Sequence, residues 1–174
     1  MKKLFFIFII ILCGCSKSDT PHKTTESRDA SRKAVPPAQK ISESPVYETE
    51  ETLGEAQTPL LDDGINRVSN INLACSRISG TALNPGEEFS FNASVGRRSY
   101  ENGWLDAPVI INGEKSYGAG GGVCQVSTTL YMAAVNAGFT VTEHHSHSEP
   151  VAYAPADFDA TVVYGAKDMK FANS

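Results

Sequence analysis

Basic residues and long apolar runs are scarce in this 174-residue chain, and each shortage closes a class of function. Fifteen Lys and Arg stand against twenty Asp and Glu, a net charge of −5 with a pI near 5.3. General nucleic-acid binding needs a basic face, so no nucleic-acid partner is expected. The apolar run from Leu4 to Leu12 falls well short of the ~20 residues that span a bilayer as a helix. Collagen-like and coiled-coil periods are missing, as is any internal repeat. The glycine-rich segment Gly118–Gly122 lacks a following Gly-Lys-Ser/Thr, so it is not a phosphate loop.

What is there begins with an export address. Met1-Lys2-Lys3 is a short basic head, and LFFIFIIIL fits the apolar core of a signal peptide. The run ends in Leu12-Cys13-Gly14-Cys15, which resembles the bacterial lipobox, a small residue before a lipidated cysteine. Residues 1–14 are therefore expected to be cleaved and Cys15 to carry lipid, holding the protein on the exported side of a membrane by buried acyl chains. Cys75 and Cys124 then remain, in a compartment where disulfides persist.

Residues 15–62 are read as a disordered linker. Ser, Thr, Pro, Glu and Lys dominate it, and Tyr47 is its only aromatic residue other than histidine, so it cannot offset the entropy of ordering. From Asp63 the texture changes: twelve of the fourteen glycines and the only Trp lie in residues 63–174. That stretch is expected to be one small domain.

Ile71, Ala74, Cys75 and Ile78 recur at helical spacing, predicting a helix over about 70–79 with Ser69 or Asn70 as its cap. Asn84-Pro85-Gly86-Glu87 is a turn. Phe89 and Phe91 alternate as in a strand, and Val109-Ile110-Ile111 before Asn112-Gly113 predicts a hairpin. Val123, Val126, Leu130, Ala133 and Ala134 give a second helix over about 124–137, stopped by Gly138. Phe139–Glu143 and Asp159–Tyr164 read as strands, with another starting at Lys170-Phe171. The fold class is α+β, antiparallel strands and hairpins packed on two helices.

The chemistry gathers at two places. Cys124 begins the second helix straight after the glycine run, where free N–H groups and the helix dipole favour a thiolate. Amides around Cys124 and Gln125 are candidate oxyanion donors. Glu143-His144-His145-Ser146-His147 holds three of the four histidines. The helix from Cys124 is about 20 Å long at ~1.5 Å per residue. A strand from Phe139 to His145 returns about 20–23 Å at ~3.3 Å per residue. A reversal at Gly138 therefore brings the histidines back to the level of Cys124. His145 and His147 share one face by alternation, and Asp159 is placed to orient a histidine. Cys124 as nucleophile, His145 or His147 as base and Asp159 as orienter make an activated thiol. Three other readings stay open. Cys124 can be a buried small hydrophobe or pair with Cys75, and Glu143, His145 and His147 can hold a metal.

At these residues the chain resembles the VanW-like domain. The resemblance rests on NPGEEFSFN at 84–92, Ala107–Glu114, GGGVCQVSTTLY, HSHSEPVAY and DATVVYG, running from about Asn70 to Phe171. That family occurs in bacterial envelope proteins and takes its name from an accessory gene of vancomycin-resistance clusters. The resemblance implies a cell-wall role of unassigned chemistry, with no cofactor. It points to peptidoglycan or another envelope protein as partner, beside the membrane attachment expected from the lipobox at Cys15. Its matching positions include Cys124, His145, His147 and Asp159, and Gly120, Gly121, Gly122, Gln125, Ser127, Thr128, Tyr131 and Ser148 as candidate substrate-binding residues. Family members commonly carry Arg where His144 stands, which makes His144 the least expected functional histidine.

Overall fold

The computed structural model describes residues 51–111 and 114–174. The signal segment, Cys15 and the linker up to residue 50 lie outside the described residues. The elements are α1 (Ile65–Ile78), β1 (Glu88–Ser90), α2 (Phe91–Val95), a 3-10 turn (Tyr100–Asn102), β2 (Asp106–Ile111), β3 (Glu114–Ala119), α3 (Val123–Asn136), β4 (Thr140–Glu143) and β5 (Lys170–Ala172). This is an α+β domain. One antiparallel sheet has the order β1-β5-β4, and β2 and β3 form a separate antiparallel hairpin. No helix among the described residues is long and apolar enough to cross a membrane.

Helix α1 starts at Ile65, earlier than its apolar spacing suggests. Asn70 is not its cap but a buried clamp within it. Its Nδ2 donates to the Leu105 carbonyl (2.9 Å) and the Gly121 carbonyl (3.1 Å), and its Oδ1 accepts from the Leu105 N–H (2.9 Å). One side chain thus ties α1 to the hairpin and to the glycine run. Ile71, Ala74 and Ile78 share the same face and pack with Val126, Leu130 and Ala134 of α3 in one core cluster. Leu130 is wholly buried.

The C-terminal strand β5 is central. Phe171 pairs with Phe89 of β1 and with Val141 of β4. Its ring stacks on Phe89 (4.9 Å between centroids) and meets Phe139 at 5.3 Å. Phe91, expected in a strand with Phe89, instead opens α2. Ser90 caps that helix by accepting from the Ala93 N–H (3.0 Å), and Asp168 holds both the Ser90 hydroxyl (2.6 Å) and the Asn92 N–H (2.8 Å).

Residues 159–164 form no strand either, although DATVVY has strand composition. Their backbone groups are claimed by side chains and a loop. The Ala160 N–H donates to Thr128 Oγ1 (2.9 Å), and the Ala160 carbonyl accepts from Ser127 Oγ (2.6 Å). The Thr161 N–H reaches the His145 carbonyl (2.8 Å), and Val163 bridges only to Lys167. A ladder needs those same groups.

The last residues assigned to the linker are attached to α3. Gln125 Nε2 donates to Thr58 Oγ1 (3.1 Å) and to the Pro59 carbonyl (2.9 Å), Thr58 and Thr129 share a hydroxyl hydrogen bond (2.8 Å), and Asn136 Nδ2 donates to the Glu55 carbonyl (2.8 Å). A Cβ on Gly54 would collide with the backbone nitrogen of Ala137, so only glycine permits that approach.

Candidate active site

Cys124 is the second residue of α3. The turn before it is held by the Val123 N–H on the Gly120 carbonyl (3.1 Å) and the Gln125 N–H on the Gly122 carbonyl (3.0 Å). The Gln125 amide is therefore engaged by the loop rather than left for an oxyanion. The glycines serve packing. A Cβ on Gly120 would meet the Arg98 stem at 2.7 Å, on Gly121 the Pro108 carbonyl at 2.6 Å, and on Gly122 Ile71 at 2.9 Å. Gly120 and Gly122 also have positive φ, +87° and +103°.

The Cys124 sulfur lies 3.7 Å from Thr161 Oγ1 and 3.7 Å from the Val162 carbonyl. It is not joined to Cys75 by a disulfide. Burial alone would push its thiol up, but hydrogen bonding and charge from His147 outweigh this and hold it below its ordinary value. His147 is pushed the other way. Burial lowers it, while hydrogen bonds to Cys124 and Asp159 and their negative charge raise it above the ordinary imidazole value. Asp159 Oδ2 lies 2.5 Å from His147 Nδ1 and accepts the His147 backbone N–H at 2.6 Å. Burial of Asp159 opposes its ionisation, but its bonds with His147 prevail and hold it below the ordinary carboxylate value. With Nδ1 on Asp159, Nε2 is the ring nitrogen not committed to the carboxylate. The resulting Cys124–His147–Asp159 chain has the order of an activated thiol nucleophile, its base and its orienter.

His145 lies apart from this chain. Its Nε2 faces Glu143 Oε1 at 3.1 Å, and its side chain is 36% exposed. Alternation does not apply because β4 ends at Glu143, so His145 and His147 take different partners. His144, the least expected of the three, helps to build the site. It stacks on Tyr131 (4.3 Å between centroids) and its Nε2 lies 2.7 Å from the Asp159 carbonyl. Among the described residues no group of three or more His, Cys, Asp or Glu side chains is placed to hold a metal ion.

The other candidates divide by what they touch. Ser127 and Thr128 clamp Ala160 and so fix its neighbour Asp159. Gln125 is buried, its amide shared between Arg67 Nη2 (2.7 Å), Thr58 and Pro59. Ser148 is exposed at the surface. Two residues that sequence reasoning passed over join the neighbourhood. Burial, together with the Cys124 charge, pushes the Tyr153 phenol well above the ordinary range. Arg98 is stripped of water by burial and feels the charges of Cys124 and Asp168. Tyr153 sits inside the HSHSEPVAY segment, a usable signal. Arg98 carried none, because its contact with Gly120 is made by tertiary packing.

The chain is 41% identical over 121 residues to a Bacillus subtilis (strain 168) protein named "Uncharacterized protein YoaR", covering 70% of this chain and 40% of that protein. It is 30% identical over 113 residues to the Enterococcus faecalis (strain ATCC 700802 / V583) protein named "Vancomycin B-type resistance protein VanW", covering 62% of this chain and 41% of that one. The chain thus spans about two fifths of the length of these relatives. No solved structure matches it. The model of the family described as VanW like protein matches residues 66–174, which contain Cys124, His147 and Asp159, and the chain belongs to that family.

Proposed function

We propose that this protein is an envelope lipoprotein whose VanW-like domain is a thiol enzyme acting on acyl bonds of cell-wall peptides. The observation that carries it is the Cys124–His147–Asp159 chain, in which one carboxylate oxygen holds both the ring and the backbone of the histidine beside the thiol. The wall as target is supported by the export address and by the name of the Enterococcus relative.

In this reading the Cys124 thiolate attacks the acyl carbon, forming a C–S bond and a tetrahedral oxyanion. That oxyanion collapses, breaking the bond to the leaving amine, which takes its proton from the His147 imidazolium. Neutral His147 then accepts a proton from water or from a second amine as that group attacks the thioester, and the thiol is restored. Asp159 stays ionised and keeps the ring in register.

The test is to incubate the purified protein with a muropeptide digest and measure its intact mass. A hydroxylamine-labile adduct on Cys124, absent in Cys124→Ser and in His147→Ala, is expected. An unmodified protein whose Cys124 alkylates with the pH midpoint of an ordinary thiol overturns the reading and leaves a binding module.

A further inference from the structure

We propose that the groove beside Cys124, bounded by Asn92, Tyr164 and Lys167, is an anion subsite that holds a carboxylate of the peptide whose acyl group meets the thiol. This rests on the thiol-enzyme reading above.

The first support is continuity. The Val162 carbonyl touches the Cys124 sulfur, the next carbonyl, of Val163, accepts from Asn92 Nδ2 (3.3 Å), and Tyr164 then forms the groove wall. The chain turns from Val163 onward, and two residues span at most about 7 Å. A peptide seated at the thiol reaches the groove within a residue or two. The groove encloses about 480 Å³, and small residues such as Gly96 and Gly165 leave room for a main chain.

The second support is charge. Residues 63–174 hold seven Lys and Arg against eleven Asp and Glu, yet Lys167 and Lys170 line this groove and Arg98 bonds to its Asn92 from behind. The acidic groups there are already committed. Glu143 Oε2 pairs with Lys170 Nζ (2.8 Å), and Asp168 accepts from Ser90 Oγ and from the Asn92 and Met169 N–H groups. Lys167 is exposed and makes no ion pair among the described residues. Its backbone is fixed on both sides, its N–H on the Val163 carbonyl (2.9 Å) and its carbonyl accepting from Asn92 Nδ2 (2.8 Å). Its charge is open to a ligand and well placed.

The third support lies behind the wall. Arg98 Nη1 donates to Asn92 Oδ1 (2.7 Å) and to the Gly96 carbonyl (2.9 Å), both groove residues, while its Nη2 is buried with no hydrogen-bond partner among the described residues. Arg98 feels the charges of Cys124 and Asp168, yet this Nη2 donor has no acceptor among the described residues, so the wall keeps an unspent positive edge. A ligand carboxylate supplies the missing sign.

The test uses the isotope-labelled protein and two-dimensional NMR of the Gly96, Gly165 and Ala166 amides. The ligands are N-acetyl-alanyl-alanine, its C-terminal amide and inorganic phosphate. The acid is expected to shift these amides saturably and at least tenfold more tightly than the amide or phosphate. The shifts should be lost in Lys167→Glu and kept in Lys167→Arg. No shift with the acid, equal response to acid and amide, or binding unchanged in Lys167→Glu overturns the subsite. Equal response to phosphate overturns the peptide-carboxylate assignment. N-ethylmaleimide labelling of the same samples reads the thiol separately. An unreactive Cys124 with intact acid binding sinks the enzyme and keeps the groove, and a reactive Cys124 without acid binding does the reverse.

Discussion

Asp159 grips His147 twice with the same oxygen, once through the ring Nδ1 and once through the backbone N–H. The carboxylate therefore fixes both where the histidine sits and which ring nitrogen is left for Cys124. Thr128 and Ser127 hold Ala160 on α3, so the grip is transmitted to the helix that carries Cys124.

Replacing Asp159 by Asn keeps the size of that group but removes its charge. The ring loses its orienting anion, and the thiolate loses its imidazolium partner. Alkylation of Cys124 by iodoacetamide at pH 7 should slow about a hundredfold or more, the usual scale of a positioned base. A rate within twofold of wild type would remove Asp159 from the site.

The opposed shifts of Cys124 and His147 set a pH window. The thiolate is lost as pH falls through the lowered Cys124 value, and the imidazolium is lost as pH rises through the raised His147 value. Alkylation should have its midpoint below the ~8.5 of an ordinary thiol, and turnover should fall again on the alkaline side. His147→Ala should move the alkylation midpoint upward. A midpoint unchanged in that variant would show that His147 does not activate the thiol.

Much of this site was legible in the sequence. The helix starting at Val123 and the return through β4 follow from apolar spacing and Gly138, which has φ +77°, and together they bring His147 to the level of Cys124. The choice between His145 and His147 was not legible. Strand alternation stops at Glu143, and the fixing partner of His147 arrives from a segment that looked like a strand but gives its hydrogen bonds to Ser127 and Thr128. Arg98 was invisible for a related reason, since its place under Gly120 depends on how the β2–β3 hairpin packs. The docked stretch from Gly54 to Leu60 has no periodicity to read. It is held by main-chain carbonyls accepting from Gln125 and Asn136.

Glu143 should make the domain acid-sensitive. Lys170 first, then His145 and the Asp168 N–H, hold its carboxyl down to about 2 from the ordinary 4.5. A lowered carboxyl contributes stability that is present above pH 4.5 and lost as pH falls toward 2. The difference in urea midpoint between wild type and Glu143→Gln should therefore be largest near pH 6 and shrink by pH 2.5. A difference independent of pH would assign the effect to packing alone.

Two glycines with left-handed backbone separate strain from space. Gly138 has φ +77° and nothing within 4 Å of where a Cβ would stand, whereas Gly122 has φ +103° and Ile71 Cγ1 at 2.9 Å from that point. Gly138→Ala should cost about 1–2 kcal/mol from backbone conformation alone. Gly122→Ala carries the same kind of strain and must also push α1 away from the start of α3, so its unfolding midpoint should fall further. The displaced turn carries Cys124, so Gly122→Ala should also slow Cys124 alkylation, while Gly138→Ala leaves it unchanged. Equal losses in the two variants would mean that contact with Ile71 does not set the position of Cys124.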